Sequence, residues 1–124
     1  AALDLLGQYN MHDFAEQEVR LNRIMSEGVG HQPGVEIIGP KDASKRGGIC
    51  SIMLKDLDIQ NVGILMDEVG KVFVRSGLHC VNQWFDARGI EDGSLRASAY
   101  AYNTEEEARI FVDTFNEIID GLTE

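Results

Sequence analysis

A short segment in the second half of the chain groups residue types that could do nucleophilic chemistry. It reads Arg75-Ser76-Gly77-Leu78-His79-Cys80. The thiolate is the nucleophilic form of cysteine, and neighbouring positive charge favours it. The segment is consistent with a reactive Cys80, with His79 as a base or proton relay. It is equally consistent with a small buried cysteine beside a loop histidine that has no chemical role.

Arg96 is the second candidate for a functional residue. It lies in the stretch Leu95 to Tyr102, whose alternation with small residues is typical of a β-strand. The planar guanidinium group suits bidentate binding of a carboxylate. Two interpretations stay open from these residues alone: a carboxylate clamp, or an arginine exposed to water on an edge strand.

The remaining candidates for chemistry are weaker. Cys50 lies inside an apolar stretch, so we expect it to belong to the core. The three histidines and two cysteines lack the spacing of zinc ligands, and we therefore predict no metal site. The sequence contains no G-x-S-x-G motif, and its glycine pairs are too short to form a phosphate-binding loop.

The composition excludes several classes of function. A chain of 124 residues predicts a single domain. The net charge of −10 argues against nucleic acid and anionic membranes as partners. An apolar fraction of 44% is enough for a core, and no apolar run is long enough to span a bilayer. Two cysteines do not make a disulfide framework, so we expect a reducing, cytoplasmic location.

Capping residues predict three amphipathic helices. Thr104 and Glu107 form a capping box for a helix that runs to about Asp120 and that Gly121 closes. Asp58 caps a second helix, which ends at Gly70, and Asn10 caps a third, which ends near Glu27. The predicted apolar face of the Thr104 helix consists of Ala108, Phe111, Val112, Phe115, Ile118, Ile119 and Leu122. That of the Asp58 helix consists of Ile59, Val62, Leu65, Met66 and Val69. That of the Asn10 helix consists of Phe14, Leu21, Ile24 and Met25. The uncapped segment 1–8 is expected to be the tail of a longer helix.

Four strands are predicted between these helices, over Val35–Ile38, Ile49–Leu54, Val72–Arg75 and Leu95–Tyr102. Ile49–Leu54 is apolar at both alternate sets of positions, which indicates a strand covered on both faces. The element order α-β-β-α-β-loop-β-α favours an α+β two-layer sandwich: a small, mainly antiparallel sheet with helices packed on one face. The irregular stretch 76–93 is long for a small domain, and such loops are often functional.

Taken in order, several segments resemble the C-terminal part of the class V aminotransferase-like enzymes, which depend on pyridoxal phosphate. They are Gly-Ile-Cys-Ser-Ile at 48–52, the helix at 58–70, Val-Arg-Ser-Gly-Leu-His-Cys at 74–80 and Leu-Arg-Ala-Ser-Ala-Tyr-Ala-Tyr-Asn-Thr at 95–104. Within that family the chain is most similar to the cysteine desulfurases of the SufS type and the related selenocysteine lyases. The resemblance extends from the Asn10 helix to the last helix.

The resemblance implies that residues 1–124 are the small C-terminal domain of a fold-type I pyridoxal phosphate enzyme. The cofactor and its Schiff-base lysine would belong to a separate large domain, because none of Lys41, Lys45, Lys55 and Lys71 lies in a matching context. No cofactor-binding residue is therefore expected in this chain, and the chain on its own is expected to be inactive. The parent enzyme would be a homodimer.

The resemblance also implies a role for each candidate residue. Cys80 matches the cysteine that takes the sulfur of L-cysteine as a persulfide and leaves L-alanine. Arg96 matches the arginine that holds the substrate carboxylate, and Arg75 matches an arginine beside the active site. His79 matches a histidine that precedes the nucleophile and supports it. An acceptor protein of iron–sulfur cluster assembly would receive the sulfur.

The chain departs from the family pattern around the cysteine. Many relatives have two histidines before it, whereas this chain has Leu78 in the first of those positions. The segment Val81-Asn-Gln-Trp-Phe85 replaces a stretch that usually ends in Pro-Leu. These departures keep open a selenocysteine lyase, another class V enzyme, or an interaction module without catalytic activity.

Overall fold

The centre of the fold is a four-stranded antiparallel sheet. In the computed structural model, which describes all 124 residues, the strands are β1 (Val35–Ile37), β2 (Ile49–Leu54), β3 (Arg75–Gly77) and β4 (Ser94–Ser98). Their order in the sheet is β1-β2-β4-β3, and each neighbouring pair is antiparallel. The α+β class predicted from the sequence is confirmed.

The chain also forms five helices, α1 (Ala2–Leu6), α2 (Met11–Val29), α3 (Ile59–Gly70), α4 (Asn82–Asp86) and α5 (Glu105–Thr123), and a single 3-10 turn at Ala43–Lys45. The three predicted caps are present. The side chains of Asn10 and Asp58 accept hydrogen bonds from backbone N–H groups of α2 and α3, and Thr104 forms the capping box of α5. None of the helices combines the length and the apolar character needed to cross a membrane.

The core lies between the sheet and the long helices α2, α3 and α5. Alternate residues of the inner strands point into it, and Cys50, Ile52 and Leu95 are fully buried. The helices contribute Leu21, Met25, Val29, Val62, Met66, Ala108, Phe111, Phe115, Ile118 and Ile119 to the same cluster.

The opposite side of the sheet carries no helix of this core, and we call it the open face. It presents Ile49 and Ser51 of β2, Arg75 of β3, and Ser94 and Arg96 of β4, as the strand registers require. The prediction that β2 is covered on both faces is wrong for this chain, because Ile49 is 47% exposed.

Three of the four strands differ in their bounds from the sequence prediction, and the first of them, β1, ends one residue early at Ile37. The strand predicted at Val72–Arg75 begins only at Arg75; Lys71, in a left-handed conformation (φ 54°), caps the C-terminal end of α3. The strand predicted to reach Tyr102 ends at Ser98. Beyond it, Tyr100 and Asn103 close a turn, in which the Asn103 N–H donates to the Tyr100 carbonyl and the Tyr100 N–H donates to the Asn103 side chain, each at 2.9 Å.

The first and last helices also differ from expectation. α1 spans only Ala2–Leu6, and α5 continues through Gly121 to Thr123, whose hydroxyl donates to the Ile119 carbonyl. Two residues assigned to apolar faces are largely exposed, Val69 at 52% and Leu122 at 40%. Both lie in the last turn of their helix.

Candidate functional site

The segment that carries the cysteine folds as a tight turn directly after strand β3. The Val81 N–H donates to the Leu78 carbonyl at 2.9 Å, and the two central residues have positive φ angles, 50° at His79 and 61° at Cys80. These are the features of a type I′ turn, which normally takes Asn or Gly at both central positions. A residue with a Cβ atom costs about 1–2 kcal/mol in this conformation. Because positions 79–80 are not Asn-Gly, the sequence does not predict this type of turn.

His79 anchors this turn to strand β4. Its Nε2 lies 2.9 Å from the backbone carbonyl of Ser94 and 3.1 Å from the Ser94 hydroxyl. A carbonyl oxygen can only accept, so Nε2 carries the proton and donates. Ser94 itself is 1% exposed. Nothing in the sequence marked Ser94 as part of the site, because the contact joins residues fifteen positions apart.

Two glycines allow the strands to meet closely beneath the turn. Gly77 pairs with Ser94 in the β3–β4 ladder, and Gly77 and Gly93 both have positive φ angles, 114° and 84°. A Cβ atom on Gly93 would collide with the Gly77 carbonyl. Only glycine therefore permits this approach, which fixes where the turn leaves the sheet.

The two cysteines lie in opposite environments. Cys80 is exposed, so the alternative of a small buried cysteine is wrong for this position. Cys50 is fully buried on the helix side of β2, as expected, and burial raises the pKa of its thiol to about 11. Cys80 is therefore the thiol that can reach a substrate.

Arg75 and Arg96 are directly paired across the β3–β4 ladder, and both belong to the open face. Arg96 lies on β4, an inner strand, so its interpretation as an edge-strand residue is wrong. Its Nε is buried without a hydrogen-bond partner, and neither arginine takes part in any of the chain's ion pairs. Donors left unpaired beside a second guanidinium suit an anion such as a carboxylate.

The structure brings the sequence-predicted site residues together. Ser94 and Arg96 are two positions apart on β4 and share the open face, so His79, which binds Ser94, lies near the Arg75–Arg96 pair. Cys80 follows His79 in the same turn. The turn that bears the Cys80 thiol and the Arg75–Arg96 pair thus lie on the β3 side of the sheet.

This site is separate from a cleft elsewhere on the chain. That cleft has a volume of about 370 Å³ and lies near the start of α5 and the end of α3, and none of the four candidate residues lines it. The chain has no group of three His, Cys, Asp or Glu side chains placed to hold a metal ion. The strands and the turn of the site also contain no lysine, the residue type that binds pyridoxal phosphate covalently.

Comparisons with known proteins agree on one family. The model of the family described as Aminotransferase class-V matches residues 1–111. The probable cysteine desulfurase of Synechocystis sp. is 32% identical over 123 residues, which cover 96% of this chain and 28% of the relative. That of Chlamydia trachomatis is 33% identical over 119 residues, which cover 96% of this chain and 29% of the relative.

A solved structure shows the same fold. The apo cysteine desulfurase of Thermococcus onnurineus NA1 superposes with a TM-score of 0.85 at 27% identity, over 95% of this chain and 29% of that protein. The chain thus spans less than a third of the length of the relatives that it matches.

Proposed function

Because the chain belongs to the class V aminotransferase family, we propose that it is the C-terminal small domain of a cysteine desulfurase. Two observations support this proposal. The relatives over nearly the whole chain are named as cysteine desulfurases. Strand β3 carries Arg75, which pairs with Arg96, and leads directly into the strained turn with the exposed Cys80; this arrangement carries the proposal.

Cys80 would act as the sulfur acceptor. Its thiolate attacks the sulfur atom of L-cysteine, a new S–S bond forms, and the Cβ–S bond of the substrate breaks. The electron pair of the broken bond stays on the carbon, which takes a proton and becomes the methyl group of L-alanine. The products are alanine and a persulfide on Cys80, so atoms and charge balance. The exposure of Cys80 supports this role, because the persulfide must then be reached by an acceptor.

Arg96 would bind the substrate carboxylate, with Arg75 beside it. The buried, unpartnered Nε of Arg96 supplies a donor that nothing in the chain satisfies. A carboxylate would satisfy it and would also relieve the repulsion between the two paired guanidinium groups. The substrate would then be held on the open face with its side chain free to reach the turn.

The residues present here do not form a pyridoxal phosphate site, because the strands and the turn of the site offer no lysine. The cofactor, which acts as an electron sink when bound, is therefore assigned to the part of the protein outside this chain. That large domain would cover the open face and complete the site.

The family resemblance extends the proposal to partners. The sulfur acceptor would be a protein of iron–sulfur cluster assembly, the full-length enzyme a homodimer, and its location the cytoplasm. The chain's net charge of −10 accords with protein and amino-acid partners rather than nucleic acid.

The test is desulfurase activity of the full-length protein that contains this chain. Alanine formation from L-cysteine is measured for the wild type, for Cys80→Ser and for Cys50→Ala as the matched control. We expect activity in the wild type and in Cys50→Ala, and its loss in Cys80→Ser, because only Cys80 is exposed. Full activity in Cys80→Ser would contradict the proposal.

A further inference from the structure

The turn that carries Cys80 is strained and needs a fixed support. Two consecutive residues with side chains, His79 and Cys80, adopt left-handed backbone angles. Such conformations persist only where surrounding contacts determine them. Besides the hydrogen bond between Leu78 and Val81 that closes the turn, the side-chain hydrogen bonds observed for these two residues are those of His79 with Ser94.

Ser94 is a rigid anchor for that support. It is almost fully buried, it lies on an inner strand, and the next residue, Leu95, is fully buried in the core. Both of its oxygens face the same imidazole nitrogen. These hydrogen bonds fix the orientation of the His79 ring relative to the sheet. The ring therefore holds the backbone of residues 79 and 80 in place.

The same bonds limit what His79 can do chemically. Its Nε2–H is donated to Ser94, so this nitrogen has no lone pair with which to accept the proton of a thiol. The hydrogen bonds of the ring go to Ser94 and none goes to Cys80. Nδ1 keeps its lone pair but makes no hydrogen bond to Cys80, so the bonds present assign His79 to orienting the turn.

We propose that Ser94 is a positioning residue that acts through His79 to aim the Cys80 thiol at the substrate. This inference rests on the proposed role of Cys80 as sulfur acceptor and adds a residue that the sequence motifs do not include. Ser94 controls the direction of the Cys80 thiol and does not change the ionisation of that thiol.

The experiment uses the full-length protein with its cofactor and two readouts. The first is the single-turnover rate at which a persulfide forms on Cys80 with L-cysteine. The second is the pH profile of Cys80 alkylation by iodoacetamide, a reaction that needs an ionised thiol but no defined direction of attack. The variants are Ser94→Ala, His79→Ala, His79→Gln and His79→Gly. Ser98→Ala is the matched control, because Ser98 lies on the same strand and face but is exposed.

We expect Ser94→Ala to slow persulfide formation about threefold to tenfold, the range for one lost hydrogen bond. His79→Ala should slow it more, because both bonds are lost. His79→Gln, which restores an N–H donor, should recover part of the rate. His79→Gly, which relieves the backbone strain without a donor, should not. The alkylation profile should keep its midpoint in all variants, and Ser98→Ala should match the wild type.

Four outcomes would overturn the inference. Wild-type rates in Ser94→Ala and His79→Ala would show that the pair does not position the thiol. A shifted alkylation midpoint would assign His79 to thiol ionisation, and full recovery in His79→Gly would assign the effect to the backbone alone. A wild-type protein that forms no persulfide on Cys80 would overturn the proposed function itself and with it the role of Ser94.

Discussion

Arg75 and Arg96 occupy directly opposed positions on neighbouring antiparallel strands, on the sheet face that the long helices leave uncovered. Like charges in such cross-strand positions repel each other and cost stability. No carboxylate of the chain forms an ion pair with either residue. The pair is therefore unfavourable by itself and favourable with an anion between the two guanidinium groups, which is the behaviour expected of a binding site.

Replacing Arg96 should harm catalysis far more than folding. Arg96→Ala in the full-length protein should lower kcat/KM by at least about tenfold, because a charge-assisted hydrogen bond contributes roughly 1.5–3 kcal/mol. Arg96→Lys should recover only part of the loss, since an ammonium group cannot form the bidentate contact. The free energy of unfolding, measured in urea, should change by no more than about 0.5 kcal/mol, because the Arg96 side chain has no partner within the chain.

The control for this series is Arg109→Ala, which removes an exposed arginine whose partner is Glu105 in an i,i+4 pair on α5. It should leave kcat/KM unchanged. A normal kcat/KM in Arg96→Ala would contradict the role of Arg96 in binding the substrate carboxylate. A loss of folding stability that parallels the loss of kcat/KM would make Arg96 a structural residue.

The two cysteines should differ strongly in reactivity. Native alkylation followed by peptide mass spectrometry should label Cys80 and leave Cys50 unmodified, because one thiol is exposed and the other is fully buried. In denaturant both should be labelled, which controls for intrinsic reactivity. Preferential labelling of Cys50 in the native protein would contradict the placement of the two thiols.

The helices could be predicted because their signals are local. The Thr104–Glu107 capping box and the cap at Asp58 lie within one turn of the helix ends that they define. The alternation over Leu95–Tyr102 likewise predicted strand β4, whose Leu95 and Ala97 are buried. The site residues Cys80 and Arg96 came from motifs, whose spacing in the sequence says nothing about their distance in space.

The features that the sequence did not predict depend on contacts between residues that are far apart in the sequence. Arg96 is an inner-strand residue only because β3 and β2 pair on its two sides, which the order of elements does not reveal. The role of Ser94 depends on its hydrogen bonds with His79. The type I′ turn at 79–80 lacks the Asn and Gly residues from which such a turn is normally predicted. The end of β4 at Ser98 is set by the Tyr100–Asn103 turn that follows it.

Burial of Cys50 should make the protein less stable at high pH. Its pKa is about 11 in the folded state against 9.0 for the unperturbed thiol, with desolvation as the main cause. Because the folded pKa is raised, the contribution to stability is complete below pH 9.0 and is lost as the pH rises through about 11. The loss at pH 11 should be about 2 kcal/mol.

The measurement is urea unfolding between pH 8 and pH 11 for the wild type and for Cys50→Ala. Other groups titrate in this range, so the difference between the two proteins isolates the thiol. The gap in unfolding free energy should narrow as the pH rises. A constant gap would show that the Cys50 thiol titrates normally in the folded state.

The capping box of α5 should contribute measurably to stability. Thr104→Ala should lower the free energy of unfolding by about 1 kcal/mol, as is typical for loss of an N-cap side chain. The hydrogen bond from the Thr104 N–H is the main cause of the lowered pKa of Glu107. This contribution is present above the usual value of 4.5 and is lost as the pH falls through the lower folded value. Glu107→Gln should therefore flatten the acid limb of the stability curve, which urea titrations from pH 3 to pH 7 would detect.

The 124-residue chain alone should fold but should not release sulfide from L-cysteine. Its sheet and three long helices enclose a cluster of 14 buried residues, which is enough for cooperative unfolding. It lacks a lysine in the strands and the turn of its site, and its open face is only one wall of the proposed active site. Sulfide release by the purified chain with added pyridoxal phosphate should equal that of a Cys80→Ser chain, whereas the full-length protein should exceed both. Circular dichroism and a urea transition would establish that the inactive chain is folded. Turnover by the folded wild-type chain above the Cys80→Ser level would show that these residues complete a site without a second domain.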